Sequence, residues 1–591
     1  MRPPTKRALL AAAAVGAIGL PLLAANVAMA DDAKSIADIQ GSAHVSPVAG
    51  QDVTDIPGIV TAVGPKGFWM QSAEPDDNDA TSDGIYVYAN AAPDAKAGDA
   101  VKVSGKVDEY RPGNAANNLS TTEITTPKVT KDGTGKVPDA TLIGPGGREA
   151  PDKIRSDSPG DVEKAAFDPK SNALDFYESM EGMLVKVTDS GVVGPTTSNG
   201  EITVLPGNKG DLRTKRGGVK YTKDDPNTER VTLDDGLAKM PNANVGDTLK
   251  GDVSGVLDYS FGDYKLEALK APDVTSGGLK PETAKPQGDK LAVSTYNVEN
   301  LDPGDDQAAF DRHGENIAKN LASPDIVGLE EIQDNNGATD DGTVAADKTL
   351  DKLVAAVKAA GGPTYEYREI DPENDADGGE PGGNIRSAFL FNPDRVKFTD
   401  KKGGDATTPV DVNADGLTLS PGRIAPTEDA WKDSRKPLAG EFTFNGKKLI
   451  VVGNHLNSKG GDDPLMGRYQ PPTNSSEDQR HKQATLIHDF VKKTEDTVKD
   501  ANVIVLGDMN DFEFSDTVGK LTDGGVLKSA YDSLDEAERY SYVYGGNSQV
   551  LDQILTSGNL ADAASLDVVH VNSEFYDQAS DHDPSLVTMT L

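Results

Sequence analysis

Cysteine is absent from the 591-residue sequence, which excludes disulfides, thiolate metal centres and cysteine nucleophiles. Long hydrophobic runs are absent beyond the first thirty residues, so nothing further along approaches membrane-spanning length. Basic residues are scarce: 59 Lys and Arg stand against 96 Asp and Glu, a formal charge of −37. That balance repels a polyanion at long range and counts against a passive nucleic-acid binder, which carries a basic patch. It counts less against a protein whose bound cations reverse the field inside a cleft. Aromatic residues are few, at 5%, and the C-terminal half shows no aromatic or apolar hairpin of the kind that enters a bilayer.

What is present starts with an export signal. Arg2, Lys6 and Arg7 precede the apolar run from Ala8 to Val27, and Ala28-Met29-Ala30 has the small-residue pattern of a cleavage site. Small residues rather than Leu and Ile dominate the run, which favours cleavage over a permanent anchor. The expected mature chain starts near Asp31, is secreted and extracellular, and keeps no membrane anchor.

Two to four domains are expected at this length. Residues 31–126 and 174–275 read as two small β-rich modules, with short apolar runs such as Gly58–Val63 and Gly67–Gln71 between Gly, Pro, Asp and Asn turns. A weak repeat relates them: Ala97-Gly98-Asp99 resembles Val245-Gly246-Asp247, and Gly58-Ile59-Val60 resembles Gly182-Met183-Leu184-Val185. Small five-stranded barrels like the oligonucleotide-binding (OB) fold fit both modules. Pro- and Gly-rich stretches at 127–173 and 276–288 read as linkers.

From 289 to 591 the pattern changes to strands alternating with helices, which predicts a layered α/β domain, taken as a two-layer α/β sandwich. Expected strands include Leu291–Val298, Asp325–Leu329, Ile385–Phe391, Leu449–Gly453, Val503–Gly507, Leu551–Thr556 and Ser585–Leu591. Expected helices are Gln307–Leu321, Lys348–Ala360 and Glu477–Lys492. Polar runs punctuate the strand ends: Asn297-Val298-Glu299, Glu330-Glu331, Asn384-Ile385-Arg386, Asn454-His455-Leu456-Asn457-Ser458-Lys459, Gly507-Asp508-Met509-Asn510, Asp552-Gln553 and Ser580-Asp581-His582. Each alone is an ordinary turn or surface pair. Seven in order within 300 residues are hard to explain as turn chemistry. Carboxylates converging without a cation would raise one another's pKa, so the cluster calls for Mg²⁺ or Mn²⁺. Hard oxygen donors, with histidines suited to proton transfer, argue against zinc.

The region from about 288 onward resembles the endonuclease/exonuclease/phosphatase superfamily, most specifically through the Gly-Asp-x-Asn and Ser-Asp-His runs. Its closest look is to secreted bacterial nucleases with β modules ahead of the catalytic domain. The resemblance implies metal ligation or orientation by Asn297, Glu299 and Glu331, with Glu330 as runner-up, and a metal site completed by Asp581. It further implies that Asp508 holds or activates the water, Asn510 bonds the phosphoryl group, and His582 is oriented by Asp552. His455 would face His582, stabilising the transition state or protonating the leaving oxygen, and Arg386 would neutralise the phosphate. Whether Asp508 or His582 takes the water's proton stays open.

Beside a motif or strand start, Arg435 and Lys459 are the favoured phosphate contacts, joined by Asn457, which lies between His455 and Lys459. His44, His313, His481, His488 and His570 read as structural or surface residues. Two segments depart from the family's pattern. Residues 460–479 are read either as a lid or as a disordered loop. Glu373-Asn374-Asp375-Ala376-Asp377-Gly378 resembles the start of a calcium loop, and a structural Ca²⁺ or a solvated acidic loop both remain open. The function expected is an extracellular nuclease hydrolysing DNA, or RNA as well, with no protein partner evident. The alternative is a phosphatase or small phosphodiesterase acting on nucleotide, inositol phosphate or lipid headgroups. A sphingomyelinase-like lipase lacks its hairpin, and a decayed binding protein would not keep the motif residues intact.

Overall fold

The computed structural model describes residues 35–157 and 159–591. The export signal expected at 1–30 lies outside the described residues. Among the described residues, no helix is long and apolar enough to cross a membrane.

Alternating apolar residues close the first module into a five-stranded barrel: β1 (Asp52–Val63), β2 (Gly67–Gln71), β3 (Gly84–Tyr88), β4 (Asp99–Tyr110) and β5 (Thr121–Thr134), in the order β1-β2-β3-β5-β4. β3 and β5 run parallel, and β4 returns to β1. Helix α1 (Ile36–Gln40), started by a Ser35–Asp38 capping box, buries Ile36 and Ile39 in the core with Val60, Phe68, Met70 and Ile124.

The second module repeats this topology. β6 (Leu184–Gly194), β7 (Ile202–Leu205), β8 (Val231–Asp234), β9 (Thr248–Ser260) and β10 (Asp263–Ala268) pair in the order β6-β7-β8-β10-β9, with β9 closing on β6 and β8 parallel to β10. The two Gly-Asp signatures hold equivalent places. Gly98 and Gly246, at φ +89° and +82°, each donate from N–H to a carbonyl of the first strand, Val60 and Val192. Asp99 and Asp247 each accept from the backbone three residues earlier, at 3.2 and 2.9 Å, and clamp the turn that opens the fourth strand.

The linker expected at 127–173 is not one. β5 runs through Thr134, and Ile143, Val162 and Ala173 are buried in the second barrel's core with α2 (Ala173–Glu178). Its Pro and Gly content belongs to short bridges and turns whose scattered apolar residues find partners only in three dimensions. Residues 276–288 lack regular structure but dock, with Ala284 in the core of the C-terminal domain.

In the C-terminal domain, one sheet has the order β13 (Glu366–Arg368), β14 (Arg386–Phe391), β12 (Ile326–Ile332), β11 (Leu291–Leu301), β21 (Ser585–Met589), β20 (Ser565–Val568). The other is built around β15 (Leu438–Phe444), β16 (Lys447–His455), β17 (Val503–Asp508), β19 (Asp552–Ser557) and β18 (Leu527–Ser529). Leu291, Val293, Phe389, Phe442, Val451, Leu506 and Ile554 pack between the sheets. Helices α3 (Gln307–Glu315) and α4 (Asp347–Ala359) cover the outer face of the first, through Phe310, Leu350, Leu353 and Val357. Helix α5 (Glu477–Thr497) covers the second through Ala484, Ile487 and Val491. The sandwich therefore has four layers rather than the expected two. Its central strands are apolar on both faces, so each sheet needs a second sheet on one side and helices on the other.

Candidate active site

Register brings the site together. His455, Asp508 and Asp552 are direct partners across the adjacent strands β16, β17 and β19. In the facing sheet, Asn297 pairs with Glu330 at the ends of β11 and β12. β17 and β16 approach so closely at Gly507, φ +130°, that a Cβ there would collide with the Asn454 carbonyl.

The strand ends then depart from regular geometry. Glu299, Asn300, Glu331 and Asn510 all have positive φ, and the ladder slips at 297–301 and 329–332. Such conformations cost about 1–3 kcal/mol each and gather at functional sites. The bulge re-aims neighbouring acids in different directions. Glu330 points into the protein, fully buried, with Thr295 Oγ1 donating to it at 2.9 Å. Burial, with Asp552 and Asp508 nearby, holds its carboxyl well above the usual range. Glu331 turns into the cleft, accepting from Asn297 Nδ2 and the Asn300 N–H at 3.0 Å each.

Glu331, His455 and Asp508 each offer one atom to a group whose members lie within 4.8 Å of one another. His455 Nε2 is 3.5 Å from Asp508 Oδ2 and 3.8 Å from Glu331 Oε1. Burial, the Arg435 charge and His582 push His455 well below an ordinary imidazole, so it is neutral and free to ligate. Burial raises Asp508 to about 7, the His582 charge opposing and Asp552 and Glu331 adding to the rise. Two crowded carboxylates beside a neutral imidazole suit a divalent cation. His455 lies across Asp508 Oδ2 from His582, as expected, and sits with the candidate ligands as well.

His582 donates through Nδ1 to Asp552 Oδ2 at 2.8 Å, and Ser541 Oγ donates to the same oxygen at 2.7 Å. Burial works against a charged His582, but Asp552, Asp581 and Asp508 outweigh it and hold the ring well above its ordinary pKa. Its Nε2 faces Asp508 at 3.8 Å and Asp581 at 3.9 Å. Glu299 is raised to about 7 by burial, then by Asp581 and Glu331, so Glu299 and Asp581 form an acidic lobe beside the main group. Asn510 donates its N–H to Asp508 Oδ1 at 2.7 Å and its amide to the Leu456 carbonyl at 3.1 Å.

The expected substrate contacts divide. Arg435 is buried behind the cluster, donates to the Leu456 carbonyl and faces Asp508 and Glu331. Lys459 stands at the rim but is paired with Asp511 at 3.1 Å, and Asn457 is half-buried with its N–H on Gln483. Arg386 is not brought into the cluster. Its buried guanidinium is committed to Glu369, Asp371 and two backbone carbonyls. The calcium loop is overturned as well: Asp377 is buried against Lys436 at 2.6 Å and Arg423 at 3.1 Å, and Asp375 accepts from Gly382 N–H. Two cations and a backbone donor already hold the oxygens that a Ca²⁺ would need. The 460–479 insert is neither lid nor loose loop. Tyr469–Gln470 pairs with Gly160–Asp161, Arg468 meets Asp161 at 2.7 Å, and Met466 enters the second barrel's core.

Sequence reasoning missed Ser541 and Tyr542. The Tyr542 ring lies against His582, 4.7 Å between centroids. The alternating run Tyr540-Ser541-Tyr542-Val543-Tyr544, just ahead of Asp552, is the signal that could have found them.

With this geometry in view, residues 294–582 match the model of the Endonuclease/Exonuclease/phosphatase family, and this part of the chain belongs to that superfamily of phosphoester hydrolases. Residues 142–277 match a domain of unknown function, DUF8508. A comparison with curated proteins finds no match. Similar solved structures include humanized D. rerio TDP2, at 20% identity over 51% of this chain and 100% of that one, TM-score 0.32. Others are the Bacteroides thetaiotaomicron VPI-5482 mannosyl-6-phosphatase Bt3783 (19%, 51% and 100%, 0.31) and the human Nocturnin catalytic domain (15%, 53% and 97%, 0.35).

Proposed function

We propose that this chain is an exported, metal-dependent phosphodiesterase whose substrate is nucleic acid. The observation that carries the reading is the convergence of Glu331, His455 and Asp508 beside the Asp552–His582 pair at one edge of the sandwich. Asn297, Glu331, His455 and Asp508 would hold Mg²⁺ or Mn²⁺, with Glu299 and Asp581 close by. Such a cation neutralises phosphate oxygens and lowers the pKa of water. The chain's own groups do the rest. A charged His582, fixed by Asp552, donates from Nε2 to a phosphate oxygen. Asp508, opposite His582, is the candidate to hold the attacking water's proton, with His582 the alternative once it has given up its own. The Asn510 amide, which donates one hydrogen to the Leu456 carbonyl, has a second for the phosphoryl group.

Export rests on Arg2 to Ala30 in the sequence. The strand order of both barrels, with the third strand parallel to the fifth, supports OB-like modules suited to single strands. One observation favours the smaller-substrate alternative: two cations near the rim of the cleft, Lys459 and Arg480, are both paired with Asp511 and so less free to meet a long polyanion. Incubating the protein with supercoiled plasmid, a short oligonucleotide and a phosphate monoester, with Mg²⁺ or with EDTA, separates the two. Chelator-sensitive cleavage of either nucleic acid supports the proposal; hydrolysis of the monoester alone contradicts it.

A further inference from the structure

The second barrel reaches into the catalytic domain through residues 211–230. Val219–Lys220 runs parallel to Asn547–Gln549 and adds a third strand to the hairpin of Tyr542–Tyr544 and Asn547–Gln549. Asn227 Nδ2 donates to Asn547 Oδ1 at 2.7 Å, and Arg230 donates to the Gly545 carbonyl at the hairpin turn. Lys220 Nζ meets Glu513, and the Tyr221 ring packs on Phe512 at 5.0 Å, bracing the chain just beyond Asn510.

The base of that hairpin belongs to the site already described, through Ser541 on Asp552 and Tyr542 on His582. Alternate residues of a strand share a face, so Tyr544 lies on the side of Tyr542. The two rings are nearly parallel, 10° apart in plane and 6.3 Å between centroids. Tyr544 is 68% exposed, whereas His582 is 5% exposed. A ladder of rings thus runs from the buried catalytic histidine to solvent, and its outermost ring is mostly exposed. The second domain holds the turn in place, so ordering the platform costs little on binding.

We propose that Tyr544 is a stacking platform for a nucleobase flanking the scissile phosphate, and that the second barrel is part of the active site because it fixes that platform. The inference rests on the phosphodiesterase reading and names its substrate chemistry: a phosphodiester next to a planar ring. Recognition by stacking also suits a cleft whose rim cations Lys459 and Arg480 are already paired, because a ring face attracts a base without added charge.

The test is steady-state kinetics of the full chain on a short oligodeoxynucleotide and on its abasic counterpart. Tyr544→Ala raises KM on the base-bearing substrate about tenfold, since stacking is worth about 1–3 kcal/mol per base. The rise on the abasic substrate is clearly smaller, and Tyr544→Phe restores the wild-type KM. Asn227→Gly, which keeps the left-handed backbone and removes the bond to Asn547, produces the same base-selective loss in weaker form. An unchanged KM in Tyr544→Ala, or equal losses on both substrates, overturns the inference while the phosphodiesterase reading stands. A wild-type protein that cuts neither substrate overturns both, and the failure then shows before any variant is made.

Discussion

Two buried histidine–aspartate pairs lie twelve residues apart at the C-terminal edge, and their surroundings give them different work. His582 donates to Asp552 at 2.8 Å and His570 to Asp583 at 2.9 Å, and each ring packs against a tyrosine, Tyr542 or Tyr540. Asp583 also accepts from the backbone of Val571, Asn572 and Ser573 and from Ser573 Oγ, and despite burial it is held below the usual carboxylate range by these donors and His570. Asp552 has only Ser541 besides its histidine, and its Oδ1 has no partner. The His570 pair is stacked behind Tyr540, whose hydroxyl donates to Glu574, the residue that anchors Arg216 of the second barrel. The His582 pair faces Asp508 and the cleft. A dyad saturated by backbone donors is a joint; one left with spare capacity and an open face can do chemistry.

That contrast is easily broken if it is wrong. His582→Ala should lower kcat/KM by roughly 10²–10⁴, the usual contribution of a positioned acid or base. His570→Ala should do the reverse, costing about 3 kcal/mol of stability because a buried pair loses one partner, with turnover per folded molecule within about twofold. Equal kinetic losses in the two variants would erase the distinction.

A third buried histidine sharpens the comparison between joints. His44, ahead of the first barrel, meets Asp175 at 2.7 Å and Glu178 at 3.2 Å on the second. Burial alone would lower its pKa, but Glu178 and Asp175 raise it to about 9. A folded pKa above the unfolded value of about 6.5 means stability fully present below pH 6.5 and lost as pH rises to 9. Melting temperature in wild type should fall across that window by the equivalent of about 1–3 kcal/mol, and His44→Gln should flatten the fall. Asp247→Ala, which strands the Asn244 and Gly277 N–H groups, should cost about 1–2 kcal/mol and leave turnover on a short substrate near wild type. Asp99→Ala, with fewer backbone donors to strand, should cost less.

Much of this was legible in the sequence because strands carry local periodicity and the motif residues sit at their ends. The expected strand Val503–Gly507 is Val503–Asp508, and a bulge parts the two adjacent acids, Glu331 lying in the cluster and Glu330 buried in the protein. The Gly-Asp repeat marked two barrels of one topology before any strand order was known. What escaped depends on contacts distant in sequence. Nothing beside Arg386 announces Glu369 and Asp371 as its partners, and an acidic run such as 373–378 looks like a cation loop until Lys436 and Arg423 arrive from 59 and 46 residues beyond Asp377. The insert at 460–479 looked loose because its partners, Gly160–Asp161, lie some three hundred residues upstream. Tyr542 and Ser541 were passed over because their role exists only once the hairpin folds onto His582.

The most direct test of the central claim is metal dependence tied to a named ligand. Protein stripped with EDTA should hydrolyse no phosphodiester, and titrating Mg²⁺ or Mn²⁺ back should restore activity along a saturable curve. Glu331→Gln should move that curve's midpoint to metal concentrations about tenfold or more higher while the fold stays intact. Full hydrolysis after chelation, or an unmoved midpoint in Glu331→Gln, would contradict the account.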